Sequence, residues 1–313
     1  MKLKSLRTAC VAATAIAPMI FIAPAGAAND IEQARQPTLR PIDNDSNWSL
    51  RLPKDDIVVY KGVVSFDAAG VGSAPILYPA PNAVGLLAAV ITHGLIVESS
   101  KKAQKDKLQE AADQVLSPYQ AVLSNYKHKE LMQRGLEKTS TGGGKRLVEF
   151  SDRPDSDWFI ESAPTFSITQ DQSVIILDNA ISIYARDAAA PPAFQNSVRV
   201  ISQAKVDTDL ARFWTADQGE KLKEESAALF AESLDIALRE VAGGSAQNSN
   251  AFKTIRYVEG STEKMERAQI ISERCNRVVI KTLRGSLMSV PSRQGVAGAA
   301  AADQCASASN SPK

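Results

Sequence analysis

The chain has 313 residues, a formal net charge of +1 and 44% hydrophobic residues. This length predicts one large domain or two small ones, and the apolar content is enough for a sizeable buried core. The nearly balanced charge excludes a chain that binds nucleic acid through an overall basic surface.

The first 27 residues have the three parts of a secretory signal peptide. Lys2, Lys4 and Arg7 form a basic start, an apolar run follows, and residues 25–27 match an A-x-A pattern with cleavage after Ala27. Cleavage there removes three positive charges and no acidic residue, which leaves a net charge of −2. Signals of this style are typical of Gram-negative bacteria, so we expect a periplasmic protein, with secretion to the medium as the alternative.

Two cysteines remain after this cleavage, Cys275 and Cys305. An oxidising compartment allows such a pair to form a disulfide, which would hold the C-terminal tail against the body. Two free thiols are the alternative.

The mature chain divides into three segments. Residues 28–53 contain several prolines and little periodicity, which predicts an extended lead-in, and 54–290 form an α+β body. That body is one domain, or two subdomains that meet near 142–150. From 291 to 313 the chain is mostly small and polar, and this composition predicts a disordered tail.

Periodicity and capping signals predict the elements of the body. The first strand covers 56–66, and two helices follow it, one from Asn82 to about 116 and one from Ser117 to about 138. Ser117 to Gln120 and Thr215 to Gln218 both match the capping box, so each is expected to start a helix. The helix after Thr215 carries an apolar stripe formed by Leu222, Leu229, Phe230, Leu234, Ala237 and Val241.

The remaining elements are predicted strands. They cover 145–150, 157–169 with an interruption at Pro164, 173–186, 197–205, 252–260, 266–275 and 277–287. The strand over 173–186 is the clearest, because four residues share one face: Ile175, Leu177, Ile181 and Ile183. Asn179 interrupts that face and needs either a hydrogen-bond partner or a sheet edge.

The predicted order is β-α-α-β-β-β-β-α-β-β-β. It indicates an α+β fold in which amphipathic helices pack on a largely antiparallel sheet. Behind a signal peptide, this mixture resembles small α+β domains of envelope-assembly accessory proteins. The analogy is one of fold and does not fix a function.

The longest apolar segment of the body contains no formal charge from Ala68 to Val97. Prolines limit a continuous helix to 83–97, which spans about 23 Å at about 1.5 Å per residue, whereas a bilayer core needs about 30 Å. The segment therefore predicts a core helix rather than a transmembrane span. Its alternative role is an exposed partner or membrane surface, formed by Leu86, Leu87, Val90, Ile91 and Leu95.

The sequence contains no recognisable catalytic, cofactor or metal motif. Its two histidines, His93 and His128, have no second histidine or cysteine nearby in sequence, which argues against a zinc site. The segment Gly142-Gly143-Gly144-Lys145-Arg146 lacks the first glycine and the Ser or Thr of a phosphate loop. We expect no cofactor and no metal.

Three hypotheses for the function remain open. The first is a non-catalytic periplasmic protein that binds another envelope component or a second copy of itself. The second is a hydrolase whose site forms only in the folded chain, with Asp67, Ser73 and His93 as candidates because they flank one Gly-rich loop. The third is a peripheral membrane protein that uses the apolar segment over 84–97.

Overall fold

The computed structural model describes seven ranges of the chain, all within one compact unit, Leu39–Lys313. The described ranges are 46–64, 99–141, 143–152, 155–186, 191–243, 251–274 and 276–292, with the backbone alone for 99–104.

Ten strands and four α-helices form in these ranges. The strands are β1 Trp48–Arg51, β2 Val59–Gly62, β3 Lys145–Val148, β4 Trp158–Ile168, β5 Ile175–Ala185, β6 Phe194–Ile201, β7 Lys253–Glu259, β8 Thr262–Arg274, β9 Arg277–Thr282 and β10 Leu287–Pro291. The helices are α1 Ser99–Asp113, α2 Gln120–Leu123, α3 His128–Lys138 and α4 Leu210–Val241, with a 3₁₀ helix, Gln114–Tyr119, between α1 and α2.

All ten strands belong to one mixed sheet, so the predicted α+β class is confirmed. The strand order is β3-β1-β4-β5-β6-β10-β9-β8-β7, and β2 pairs with β4 beyond the end of β1. The long neighbours β4, β5 and β6 are antiparallel, as are β7 to β10. Parallel pairs join β1 to β3 and β4, β2 to β4, and β10 to β6.

The main core lies between the sheet and the helices. The predicted apolar face of β5 is confirmed, because its four residues are fully buried in this core: Ile175, Leu177, Ile181 and Ile183. Asn179 shares the face and is also fully buried. It has the hydrogen-bond partners that its position requires, and β5 lies inside the sheet rather than at an edge.

Helix α4 packs on β5 and β6 and contacts α3. Its predicted stripe is confirmed, since Leu222, Phe230, Leu234 and Ala237 are fully buried. The element begins at Leu210, where Asp209 caps it, and the Thr215 hydroxyl donates to the Ala211 carbonyl. Residues 216–219 have non-helical backbone, so the segment that carries the stripe starts after Gly219, a few residues beyond the predicted start at Thr215.

Three further expectations differ from the observed elements. Ser117 starts no helix, because the 3₁₀ turn begins at Gln114 and contains Pro118.

Pro164 does not interrupt β4. It falls after the pairing of Ile160 with β1 and before that of Thr165 with β2, so no parallel neighbour is paired at the proline. Two strands are additional: β1, which lies in the predicted lead-in, and β10, which follows a turn inside 277–287.

The sheet curls strongly. Arg199 of β6 and Glu259 of β7 approach to 3.8 Å between Nη1 and Oε1, although three strands separate β6 from β7 in the sheet. In a flat sheet those two strands would lie about 19 Å apart, which is beyond the reach of the two side chains. The face away from the helices is therefore concave, and a second apolar core fills part of it, with members from β5 to β10.

Candidate functional site

A cleft of about 510 Å³ opens where the ends of the curled sheet approach each other. One wall comes from the end of β2 and the turn between β4 and β5, and the other comes from the β7–β8 hairpin. Arg199 of β6 lies between the two walls. The side chains that matter for its chemistry are Lys61, Thr169, Asp171, Arg199, Tyr257, Glu259 and Lys264.

Arg199 is held between two carboxylates. Its Nε and Nη2 donate to the two oxygens of Asp178, both at 2.7 Å, and Asp178 is its register partner on β5. Glu259 faces the third nitrogen of the guanidinium. The charge of Asp178 raises the pKa of Arg199 further above its already high value, so the guanidinium remains charged.

Asp171 joins the two walls of the cleft. Its carboxylate accepts from the Thr169 hydroxyl at 2.7 Å, from the N–H and hydroxyl of Ser173, and from the N–H of Ser261 on the β7–β8 turn. Partial burial alone would raise the pKa of Asp171, but these hydrogen bonds outweigh it and the pKa is lowered. Gly260 fits beside this carboxylate because a Cβ there would lie 2.8 Å from both oxygens.

Tyr257 lines the same cleft and is 6% exposed. Burial raises the pKa of its hydroxyl, and the neighbouring Glu259 carboxylate raises it further. The protein therefore moves the pKa values of three cleft residues away from neutral pH: those of Arg199, Asp171 and Tyr257. These groups keep fixed charge states, which suits binding better than proton transfer.

Lys61 and Lys264 differ from the other charged residues of the cleft. Both side chains are partly buried, one on β2 and one on β8. Neither ammonium group has an ion pair or hydrogen bond within the part of the chain that the structure describes. They are therefore the cations of the cleft that remain available to a ligand.

A smaller cavity of about 300 Å³ lies beside Trp48 and the Gly144-Lys145-Arg146 segment. The sequence of this segment lacks the phosphate-loop motif. Both of its cationic side chains bind other groups of the protein, because Lys145 Nζ donates to Thr139 and Arg146 Nε donates to Ser49. The Trp48 indole nitrogen is buried and has no hydrogen-bond partner among the described residues. With its lysine already engaged, this cavity is a weaker candidate than the cleft.

His128 has a structural role. It is 5% exposed at the start of α3, and its Nδ1 lies 2.9 Å from the carbonyl oxygen of Asp55. Burial lowers its pKa, although the hydrogen bond and the charges of Asp55 and Asp56 oppose that shift. It does not line the cleft.

Most residues singled out in the sequence lie outside the described ranges. They are Ala27, Asp67, Ser73, Leu86, Leu87, Val90, Ile91, His93, Leu95, Cys275 and Cys305. The predicted disulfide, the partner or membrane surface and the hydrolase site therefore stay predictions.

Sequence reasoning did not find the cleft. One signal was present, since Asp178 and Arg199 are the single charged residues of their two strands. Oppositely charged residues in such strands favour a pair across neighbouring strands. Nothing in the sequence indicated that Glu259 and Lys264, more than 50 residues further on, would join them.

No group of three or more His, Cys, Asp or Glu side chains in the described ranges could hold a metal ion. No helix in those ranges is both long and apolar enough to cross a membrane. Comparison with protein-family models, with curated proteins and with solved structures finds no match to the chain.

Proposed function

We propose that this chain is a non-catalytic binding protein of the cell envelope and that the cleft between the β4–β5 turn and the β7–β8 hairpin is its ligand site. The observation that carries the proposal is the cleft itself. Its volume of about 510 Å³ lies in the range of small-molecule sites, and its polar groups converge from strands that are distant in sequence.

The chemistry of the lining supports binding over catalysis. A general acid or base works best with a pKa near the operating pH. Asp171, by contrast, has a lowered pKa, Tyr257 a raised one, and Arg199 is fixed by Asp178. Groups in fixed charge states can orient a ligand without exchanging protons with it.

The proposed location is the periplasm. It is supported by the basic, apolar and A-x-A parts of residues 1–27. N-terminal sequencing of the protein from a periplasmic fraction should give Ala28 as the first residue, whereas recovery of an intact Met1 would overturn this part of the proposal.

The test of the binding site is a thermal-shift screen of the purified protein against soluble envelope components. Three forms are compared: the natural protein, Thr262→Trp, which places an indole at the cleft, and Thr208→Trp, which places one at an exposed position outside it. We expect at least one compound to raise the melting temperature of the natural protein and of Thr208→Trp but not of Thr262→Trp. An equal shift in all three forms would place the binding elsewhere, and cleft-dependent turnover of the compound would show an enzyme.

A further inference from the structure

The charged side chains of the cleft fall into two groups, those that face a partner group of the protein and those that do not. The Asp171 carboxylate accepts hydrogen bonds from Thr169, Ser173 and Ser261. The other carboxylate of the lining, Glu259, lies beside the Arg199 guanidinium at 3.8 Å, and its Oε1 has no hydrogen-bond partner in the described ranges. Each carboxylate of the lining therefore already faces hydrogen-bond donors or a cation of the protein.

The positive charges that remain are Lys61 and Lys264. They belong to different walls, because Lys61 lies on β2 in register with Ser167 of β4, and Lys264 lies on β8 opposite Tyr257 of β7. Both are partly buried, so their charges are less screened by solvent than those of freely exposed lysines.

We infer that the cleft binds a small molecule through an anionic group, a carboxylate or a phosphate, held by the ammonium groups of Lys61 and Lys264. This inference rests on the proposed function and gives it a ligand class. A lysine ammonium is a compact charge with three rotatable donors, and it can follow either anion without a fixed geometry. Arg199 remains paired with Asp178 and lines the cleft between its two walls.

The experiment is calorimetric titration of the full chain at low salt with matched four-carbon probes. Succinate is the anion, butane-1,4-diol the neutral analogue and putrescine the cation, and inorganic phosphate is titrated as the alternative anion. We expect succinate or phosphate to bind, the diol and putrescine not to bind, and the affinity to fall as sodium chloride is added. Succinate binding without phosphate binding assigns a carboxylate ligand, and the reverse assigns a phosphate.

Two variants test the residues and a third controls for loss of charge. Lys61→Met and Lys264→Met keep an unbranched chain, remove the charge, and should each weaken anion binding about 10-fold or more, as expected when a hydrogen bond between charged groups is removed. Lys54→Met removes an exposed charge outside the cleft and should leave binding unchanged. Circular dichroism melting of all three variants shows whether they are folded.

The outcomes separate this inference from the proposed function. If the screen finds a ligand that Thr262→Trp blocks, while neither succinate nor phosphate binds, the cleft is a site but the assignment to an anion is wrong. Anion binding that survives both lysine substitutions would also overturn the inference. If no probe and no screened compound binds, both proposals fail.

Discussion

At the scale of single residues, the buried polar network around Asn179 is the clearest determinant of stability. The Ser162 hydroxyl donates to Asn179 Oδ1 at 2.7 Å, the amide donates to Ser233 Oγ at 2.9 Å, and Ser233 donates to the Phe230 carbonyl. This chain of bonds links β4 and β5 to α4. It explains why an amide is accommodated on a face that is otherwise apolar, because its oxygen and its nitrogen each have a partner.

We expect Asn179→Ala to destabilise the protein by about 2–4 kcal/mol, since it leaves a small cavity and removes the acceptor of the Ser162 hydroxyl. Urea unfolding measures the change. The triple variant Asn179→Leu, Ser162→Ala, Ser233→Ala removes all the partners at once and should recover most of the loss. A triple variant no more stable than Asn179→Ala would show that shape, rather than unpaired polar groups, causes the effect.

His128 should make the stability depend on pH. A carbonyl oxygen only accepts, so Nδ1 must carry the proton that the Asp55 carbonyl accepts. Because burial lowers the pKa of His128 in the folded state, the unfolded chain binds the second proton more readily. The free energy of unfolding is therefore highest, as far as His128 is concerned, above the unfolded pKa of about 6.5. It decreases as the pH falls from there toward the folded pKa.

The measurement is urea unfolding at pH 7.5 and 5.5 for the natural protein, His128→Asn and His93→Asn. The natural protein should lose stability at the lower pH, and His128→Asn, whose amide can still donate, should lose less. If the loss is abolished only in His93→Asn, the pH dependence belongs to that histidine.

At the scale of elements, the capping box at Thr215 shows how closely a local signal locates the start of a helix. Thr215 and Gln218 have the right spacing, but Asp209 caps the helix earlier, and the first turns of α4 bury Trp214, whose indole donates to the Gln172 carbonyl. A short first helical segment therefore precedes the box, and the long segment follows the non-helical residues 216–219. The capping residues then lie where α4 kinks, and Gln218 itself has a φ of +59°.

The kink of α4 needs a glycine for two separate reasons. Gly219 has a φ of +79°, and a Cβ on it would lie 2.4 Å from Cγ1 of Val122. Gly243 has a similar φ of +81° with nothing near its Cβ position, so it serves as the control for backbone strain alone.

We expect Gly243→Ala to cost about 1 kcal/mol and Gly219→Ala about 2–4 kcal/mol, because the second adds overpacking to strain. Thermal or urea unfolding measures both. Adding Val122→Ala to Gly219→Ala should restore the stability lost through overpacking, but not the stability lost through backbone strain. Equal losses at the two glycines would contradict the close contact with Val122.

At the scale of the whole molecule, the sequence predicts the parts better than their arrangement. The alternation of apolar and polar residues identified the buried face of β5, and the stripe of apolar residues identified the buried side of α4. Both patterns depend only on neighbours along the chain. The curl of the sheet depends on the pairing of β6 with β10 and on the position of β7 at the far edge. No local pattern encodes that order, so the cleft between Lys61 and Lys264 could not be predicted.

Asp171 is the contact that should keep the two ends of the curled sheet together. Its lowered pKa means that the folded state favours the carboxylate, so its contribution is present above the unfolded pKa of about 3.9 and is lost as the pH falls through the folded pKa. At neutral pH, Asp171→Ala removes the acceptor of the Ser261 N–H. We expect faster amide hydrogen exchange in β7 and at the β7–β8 turn, and a loss of stability of about 0.5–1.5 kcal/mol, because the Asp171 side chain is exposed.

The control for that experiment is Asp207→Ala, which removes an exposed carboxylate that accepts only a local N–H, from Asp209. It should leave exchange in β7 unchanged. If Asp171→Ala speeds exchange only in its own turn, between β4 and β5, then the hairpin is held by the second apolar core instead. The width of the cleft would in that case be set by the packing of Tyr257 and Ile176, and anion binding should survive the loss of Asp171.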